Sequence, residues 1–356
     1  MSSLRAHEQA NADSDPTQRQ NQTTLDSICK DILAGKITRI VVLVGAGLST
    51  SCGLLDFRTP DTGLYAKLKP LQLPYPEAMF HISYFKHNPE PFYAIARARH
   101  PRNTKPGVGH AFLALLERKG VLRFVFTQNI DGLELDAGVS RERVLNVHGD
   151  WNDQHCIKCR SPYPADRMRK AILTGEVPIC IQENCGGIVK PDTVMFGESI
   201  PESFASRKEE MLSSADLLLV IGTSLKVAPC SQIPRQLPSH VPRVLVNREL
   251  VGNLGTREND VCLLGDCDSG LREFARHLGW EGELETVWKD ALERKEKSLR
   301  DNECDDTTEQ SPTLEECIAR AAEKMKVRMG VSEENRRMLE GHLGEKMASI
   351  LAKTEQ

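Results

Sequence analysis

The sequence lacks the apolar segments that would carry a chain into or across a membrane. Residues 1–22 are polar, without the apolar core of a secretory signal. No stretch approaches the roughly 18 apolar residues that a membrane-spanning helix needs. We therefore expect an intracellular protein of the nucleus, the cytoplasm or both, with no membrane partner.

Excess positive charge is also missing. The chain has 46 Lys and Arg against 50 Asp and Glu, which gives a formal net charge of −4. This balance argues against binding nucleic acid through bulk charge, although a local basic patch remains open. Candidate residues for such a patch are Lys158, Arg160, Arg167, Arg169 and Lys170. Direct nucleic-acid binding is therefore left undecided.

The middle of the chain alternates between short apolar runs and helical patterns such as residues 110–119 and 270–278. The apolar runs lie at residues 40–44, 121–126, 144–147, 217–221, 244–246 and 261–264. Strands that are apolar on both faces and separated by helices are typical of a parallel sheet covered on both sides. The predicted fold is therefore α/β, with a doubly wound, Rossmann-like parallel sheet.

Two segments interrupt this alternation, and both ends of the chain differ in composition. Residues 59–107, rich in Pro and aromatic side chains, predict a helical and loop insertion, and residues 150–195 predict a small inserted module. Residues 1–24 predict a disordered tail. Residues 25–288 would form the main domain, and residues 289–356 a charged, partly helical extension.

Helical faces are predicted near both ends of the ordered chain. Ile28, Ile32 and Leu33 should face the core from a helix that starts at Leu25. In the extension, one apolar stripe follows Pro312, and a second helix begins near Ser332. The members of the first stripe are Leu314, Cys317, Ile318, Ala321, Ala322 and Met325. Such stripes either cover the protein's own surface, dock near a substrate groove or mediate self-association.

Polar residues gather where two predicted strands end. Thr127-Gln-Asn-Ile-Asp131 follows one apolar run, and His148 follows the next. Carboxyl ends of neighbouring parallel strands face one crevice, so an amide pair, a carboxylate and an imidazole should converge there. This edge of the sheet is the candidate active site.

A glycine turn, Gly45-Ala-Gly47, follows the first strand, where backbone amides could approach a pyrophosphate. The third glycine and the acidic residue about 20 positions further on, both usual in dinucleotide sites, are missing, so the turn alone could be an ordinary one. Asp56-Phe57-Arg58 lies shortly after it. Arg58 could lie near phosphate and Phe57 could exclude water, or Asp56 and Arg58 could simply form an ion pair.

Later strand ends add polar groups to the same edge. Gly222-Thr-Ser224 and Asn247-Arg-Glu249 would each be an ordinary cap or turn if they stood alone. Together with Cys267 they could line a crevice for the adenosine half of a nucleotide.

Four of the eleven cysteines form two pairs in the inserted module, Cys156-x-x-Cys159 and Cys180-x4-Cys185. In a chain without an export signal this spacing favours reduced thiolates that bind one structural zinc ion. The alternatives are four unrelated thiols, or His155 replacing one sulfur. The four sulfurs are the favoured ligands.

In combination and in this order, these motifs closely resemble those of the sirtuins, the family of NAD-dependent protein deacylases. The resemblance covers about residues 25–285, and further stretches such as Lys190-Pro-Asp192 and Phe196-Gly-Glu198 are similar to class I. It implies that the carbonyl oxygen of acetyl-lysine attacks the nicotinamide ribose and releases nicotinamide. His148 would then act as general base toward a ribose hydroxyl, as an imidazole can near neutral pH. The products would be nicotinamide, free lysine and O-acetyl-ADP-ribose.

The resemblance also implies roles for individual residues. His148 and Asn129 would be catalytic, and acetylated proteins such as histones or tubulin would be the partners. The segment Val194, Met195, Phe196 and Gly197, with Val227, would bind the peptide as an added strand. The implied NAD-binding residues are Gly45, Ala46, Gly47, Leu48, Ser49, Thr50, Asp56, Phe57, Arg58, Gln128, Asn129, Ile130, Asp131, Gly222, Thr223, Ser224, Asn247, Arg248, Glu249 and Cys267.

The chain departs from the family pattern at three places. Gly53-Leu54-Leu55 replaces the usual Gly-Ile-Pro, Asp150-Trp151 follows His148-Gly149 in place of a small polar residue and Phe, and the second cysteine pair is more widely spaced. The rival functions are mono-ADP-ribosyl transfer, nicotinamide-dependent dehydrogenation and a non-enzymatic zinc module that binds chromatin.

Overall fold

The computed structural model describes residues 23–54, 56–57, 59, 61, 63–99, 104–302 and 313–329. Residues 1–22 of the tail predicted for residues 1–24, Arg58 and the helix predicted from Ser332 lie outside these ranges. The last two residues of that prediction are wrong, because Thr23 donates its backbone N–H to the carbonyl of Glu258 and Thr24 caps the first helix. The first helix, α1, spans Leu25–Leu33 and is capped by the side chain of Thr24, which accepts a hydrogen bond from the backbone N–H of Ser27.

The main sheet has six parallel strands in the order β3-β2-β1-β6-β7-β8. Each strand coincides with one of the six predicted apolar runs, so the predicted doubly wound α/β fold is confirmed. Between β1 and β6 the strand order reverses, which is where sheets of this kind bind ligands. The strands are β1 (Ile40–Val44), β2 (Leu122–Thr127), β3 (Val144–Asn146), β6 (Leu217–Ile221), β7 (Arg243–Asn247) and β8 (Asp260–Leu264).

Helices cover both faces of this sheet. Ile40, Val42 and Val44 of β1 point to one layer, and Val41 and Leu43 point to the other. The first layer contains α1, α5 (Val108–Arg118), α10 (Cys267–His277) and α11 (Glu281–Asn302), and the second contains α8 (Ser203–Ser213) and α9 (Ile233–Gln236). Because both faces are covered, all five residues of β1, β6 and β7 are buried.

The prediction that Leu33 of α1 faces the core is wrong. Leu25, Ile28 and Ile32 are buried, but Leu33 is 57% exposed. Leu33 follows Ile28 by five residues, which places it about 140° around the helix from Ile28 and off the buried stripe.

The insertion and the cysteine module share a third apolar core. The insertion contains α2 (Leu64–Lys67), α3 (Ile82–Phe85) and α4 (Glu90–Arg99), with 3₁₀ helices at Lys69–Leu71 and Ala78–Phe80. The module contains α7 (Ala165–Thr174) and two antiparallel strands, β4 (Gln154–Cys156) and β5 (Val189–Pro191). Their shared core includes Phe85, Phe92, Tyr93, Met168, Ile172 and Val189.

Two helices near the carboxyl end pack onto different parts of the molecule. Helix α11 crosses the predicted boundary at residue 288 without a break. It packs against α5 and α6 (Leu133–Asp136), and its Val287 and Ala291 are buried. Helix α12 (Leu314–Met329) packs against α4 and the 3₁₀ helix Lys69–Leu71. It buries Cys317, Ile318, Ala321 and Met325, so the predicted apolar face is confirmed. None of the helices in the described ranges combines the length and apolar character needed to cross a bilayer.

Candidate active site at the carboxyl edge of the sheet

Three glycines allow the ends of β1 and β6 to touch. A Cβ atom at Gly45 would lie 2.6 Å from Cβ of Thr223, and one at Gly222 would lie 2.3 Å from the backbone nitrogen of Leu48. The backbone N–H of Gly47 donates to the carbonyl of Gly222 over 2.7 Å. These glycines are therefore required by backbone packing at the switch point, in addition to any role near phosphate.

Asn129 is buried directly beneath this turn. Its side-chain Nδ2 donates to the carbonyl of Gly45 and to the hydroxyl of Ser49, each over 3.2 Å. Its backbone N–H donates to the hydroxyl of Thr127. Because a carbonyl can only accept, the nitrogen of the amide faces Gly45 and both of its hydrogens are used. The side-chain oxygen is therefore the group left to accept a hydrogen bond from a ligand.

Ser49 connects Asn129 to a carboxylate and to a histidine that the sequence interpretation missed. The hydroxyl of Ser49 donates to Oδ2 of Asp131 over 2.8 Å, and its oxygen lies 3.3 Å from Nε2 of His110. The other carboxylate oxygen of Asp131 accepts the backbone N–H of Leu133. Burial lowers the pKa of His110, although nearby carboxylates, chiefly Asp131, act in the opposite direction. The available signal was a histidine in the first turn of a helix whose next six residues, 111–116, are all apolar.

His148 lies at the same edge with one ring nitrogen already used. Nδ1 is 2.8 Å from the backbone carbonyl of Gln128, so Nδ1 carries the hydrogen and Nε2 is the unprotonated acceptor. Burial lowers the pKa of His148, and the hydrogen bond to Gln128 offsets this only in part. The imidazole is therefore neutral at neutral pH and able to take a proton at Nε2.

The predicted residues for the second half of a nucleotide lie along the next strand ends. The side chain of Gln128 donates to the hydroxyl of Thr223 over 3.0 Å, which ties β2 to β6. Asn247 donates to the carbonyl of Glu249. Cys267 is buried at the start of α10, and burial raises the pKa of its thiol to about 12. A thiol in that state is a packing group rather than a nucleophile.

Aromatic side chains cover the loop that holds Asp56 and Phe57. The ring of Phe57 lies 5.7 Å from that of Tyr65 and 5.8 Å from that of Phe80, measured between centroids. Asp56 accepts hydrogen bonds from the backbone and the side chain of Thr59. Phe57 thus packs with the aromatic core of the insertion.

The four module cysteines converge as predicted. All four sulfurs lie within 4.8 Å of one another, and two pairs, Cys156 with Cys185 and Cys159 with Cys180, are 3.6 Å apart. Zinc–sulfur bonds of about 2.3 Å in a tetrahedron place sulfurs about 3.8 Å apart, so this set fits one zinc ion. His155 is instead 2.9 Å from the carboxylate of Asp192, which favours the four-sulfur site over the alternative with histidine.

A cleft of about 760 Å³ lies between the sheet edge and the module. Two of the five predicted peptide-binding residues, Val194 and Gly197, line it. The backbone N–H of Val194 donates to the carbonyl of His148 over 2.7 Å. Met195 is 3% exposed and packs into the third core, Phe196 is 39% exposed, and Val227 is half-buried away from the cleft lining.

The unusual Asp150-Trp151 pair has a defined place beside this cleft. Asp150 forms a salt bridge with Arg141 over 3.1 Å, and the ring of Trp151 stacks on Phe92 at 5.9 Å between centroids. Arg141 therefore neutralises the charge of Asp150, and the ring of Trp151 packs into the aromatic core.

Comparison with known proteins agrees with this geometry. Residues 45–229 match the model of the Sir2 family. The chain is 83% identical over 356 residues, all of both chains, to a protein of Emericella nidulans named NAD-dependent protein deacetylase hst2-2. It is 42% identical over 288 residues, 76% of each chain, to NAD-dependent protein deacetylase sirtuin-2 of Danio rerio. It is 41% identical over 269 residues to NAD-dependent protein deacetylase hst2 of Schizosaccharomyces pombe, covering 76% of this chain and 80% of that one.

The matched range contains the glycine turn, Asn129, His148, the four cysteines and Thr223, which meet at one sheet edge or in its neighbouring module. The order and packing of these groups agree with the family match and with the predicted resemblance. The chain belongs to the Sir2 family.

Proposed function

We propose that this chain is an NAD-dependent protein-lysine deacetylase. Bound NAD would supply an electrophilic ribose carbon, with nicotinamide as the leaving group. The acetyl group would be transferred to ADP-ribose, and the lysine would be released without it. The observation that carries the proposal is a neutral His148, with Nε2 as its acceptor, held by Gln128 next to the buried Asn129 site. The names of the relatives support the same activity.

The nicotinamide end of NAD would be held by Asn129 and Asp131. A carboxamide presents two hydrogens and one acceptor. The free side-chain oxygen of Asn129 and the carboxylate of Asp131 are acceptors whose positions are set by Ser49 and Leu133. A pocket with such preset acceptors loses little freedom when the ring binds.

His148 would act as the general base. Its Nε2 would take the proton from a ribose hydroxyl, and the carbonyl of Gln128 would stabilise the imidazolium through the hydrogen on Nδ1. A positioned base of this kind typically contributes a factor of about 10² to 10⁴ in rate. The phosphates would lie at the Gly45–Thr50 turn, and the adenosine half along Thr223, Ser224, Asn247, Arg248, Glu249 and Cys267.

The acetylated substrate would enter through the cleft beside Val194 and Gly197. Acetylated proteins, among them histones or tubulin, are the expected class. Backbone pairing of an extended peptide gives affinity with little dependence on sequence, which fits a broad substrate range. The cysteine module would hold one zinc ion that stabilises the wall of this cleft and takes no part in the chemistry.

The test is the substitution His148→Tyr, with His240→Tyr as its control because His240 is exposed. Nicotinamide release and deacetylation of an acetyl-lysine peptide are followed together by mass spectrometry. We expect equal amounts of both products from the unmodified chain and from H240Y, and at least a 100-fold loss with H148Y. Deacetylation left intact in H148Y would overturn the mechanism. If a label carried by NAD became covalently attached to a target protein faster than acetyl was removed, the function would be ADP-ribosyl transfer in place of deacetylation.

A further inference from the structure

His110 lies behind the nicotinamide end of the site without lining it. It is on α5 with 0% of its surface exposed, and its two ring nitrogens point to different neighbours. Nδ1 accepts the backbone N–H of Gly107 over 3.1 Å, and Nε2 faces the Ser49 hydroxyl. Both nitrogens of this histidine are therefore occupied.

The backbone decides which nitrogen carries the hydrogen. The N–H of Gly107 can only donate, so Nδ1 must be unprotonated. The sulfur of Cys52 lies 3.9 Å from the same nitrogen, and its S–H can also donate to Nδ1. The hydrogen of the neutral ring is therefore on Nε2, where it donates to the oxygen of Ser49. A protonated ring would place two N–H groups against each other at Gly107, and burial separately lowers the pKa of His110.

This tautomer sets the direction of the next hydrogen bond. The oxygen of Ser49 receives one hydrogen from His110 and a second from Asn129 over 3.2 Å. A hydroxyl has two acceptor lone pairs and one hydrogen, so both lone pairs are used. The one remaining hydrogen points to Asp131, whose Oδ2 is 2.8 Å away. The chain of bonds thus runs in one direction from Gly107 to Asp131.

We propose that His110 is a positioning residue for nicotinamide, in which the Gly107 amide selects the Nε2–H tautomer and thereby directs the Ser49 hydroxyl onto Asp131. This inference rests on the proposed function, because it assigns the Asp131 and Asn129 end of the site to the nicotinamide ring. His110 would act only through Ser49 and would not contact NAD.

Three variants test this role. His110→Phe keeps a planar ring of similar size but removes both nitrogens, and His110→Gln restores a side-chain N–H that can reach Ser49. Leu113→Ala, a fully buried residue on the same helix, serves as the control for a purely structural loss. The measurements are the KM values for NAD and peptide, kcat, the inhibition constant of nicotinamide and the Tm.

Loss of one buried hydrogen bond should raise the nicotinamide inhibition constant and the KM for NAD of H110F roughly 5- to 20-fold. The KM for peptide should stay unchanged, and H110Q should lie within about 3-fold of the unmodified chain. L113A should lower Tm without moving the nicotinamide constant. If H110F shifts that constant no further than L113A does, or if H110Q is no better than H110F, the inference is wrong.

A second measurement does not depend on how H110F folds. In the unmodified chain labelled with ¹⁵N-histidine, the ring signals of His110, assigned by their loss in H110Q, should show hydrogen on Nε2. Hydrogen on Nδ1 would overturn the inference. An unmodified chain without NAD-dependent deacetylation would instead reject the proposed function and leave the tautomer result valid.

Discussion

The six-stranded sheet and the cysteine module stay folded by different means. The sheet buries every residue of β1, β6 and β7 between two helical layers. The two strands of the module are three residues each, and Cys159, between β4 and α7 in the sequence, is exposed. Its apolar support comes from the insertion and from α12, both distant in sequence.

This difference matters because the cleft lies between the two regions. The sheet side supplies Val144 and Asn146 of β3, whereas the module side supplies Asp192 and Val194. A Cβ at Gly149 would come within 1.9 Å of the carbonyl of Asp192, so the two walls touch directly behind the base. We infer that the catalytic groups lie in the region with the larger buried core, and that one wall of the cleft belongs to a module with four clustered cysteines that could hold a zinc ion.

The largest effect should follow the loss of zinc. Cys156→Ser removes a fully buried ligand, so we expect the roughly stoichiometric zinc to be lost and activity to fall more than 100-fold, since structural zinc contributes about 10–16 kcal/mol to folding of small domains. Metal analysis, activity and far-ultraviolet circular dichroism are the measurements. The circular dichroism signal of the six-stranded sheet and its helices should be retained. Cys262→Ser, on β8 and outside the cluster, should leave zinc and activity unchanged, and unchanged zinc in C156S would contradict the comparison.

A smaller effect should follow from damage to the sheet itself. Arg243 on β7 and Asp260 on β8 form a fully buried ion pair, and Asp260 also accepts backbone N–H groups of residues 255–257. Asp260→Asn leaves the arginine charge uncompensated, which should lower the free energy of unfolding by about 3–5 kcal/mol. Urea denaturation measures this loss, with zinc content unchanged. Glu293→Gln, in an exposed pair with Lys289, should cost less than about 1 kcal/mol. Equal losses in the two variants would refute the prediction.

The third effect depends on pH, and over a single pH unit it is the smallest of the three, at about 1.4 kcal/mol. Glu134 on α6 is fully buried, and burial, followed by repulsion from Asp131, raises its pKa to about 8. Among the described residues neither of its oxygens has a hydrogen-bond partner at normal distance, although the nearby Thr127 hydroxyl lowers the pKa in part. The folded state therefore holds a proton that the unfolded chain releases near pH 4.5.

The stabilisation from this proton is complete below about pH 4.5 and is lost as the pH rises to about 8. The free energy of unfolding of the unmodified chain should therefore fall by up to about 1.4 kcal/mol per pH unit from this group. Glu134→Gln has no such proton to release, so this fall should be absent from its curve of unfolding free energy against pH. Urea unfolding of both chains at several pH values within this window measures it. Parallel stability curves for the two chains would show that Glu134 is not protonated in the folded state.

The strands and the polar groups that follow them could be predicted from the sequence. Val41 to Val44 and Leu217 to Ile221 are apolar without interruption, which is typical of strands covered on both faces. Asn129 and His148 follow such runs, so a shared crevice could be expected before any contact was known. The four cysteines could be predicted as one site because thiolate spacing reflects zinc geometry.

Other features could not be predicted, because their partners are far away in sequence. His110 and Ser49 are 61 residues apart, and Arg243 is a single cation at the start of an apolar strand. Helix α12 was predicted with its correct apolar face, but its packing against α4 joins segments more than two hundred positions apart. Leu33 could not be placed from its apolar character alone. Ile32 is buried and the next residue, Leu33, is exposed, because one residue turns the side chain by about 100° around the helix.

The sequence by itself determined the α/β class, the positions of the strands, the sheet-edge polar groups and the cysteine cluster, because each depends on local patterning or on short spacing. Tertiary structure alone decided the tautomer of His110, the buried charge pair of Arg243 and Asp260, and the surface that α12 covers. These depend on hydrogen-bond direction and on the burial of groups by distant segments, and local patterning carries no information about either.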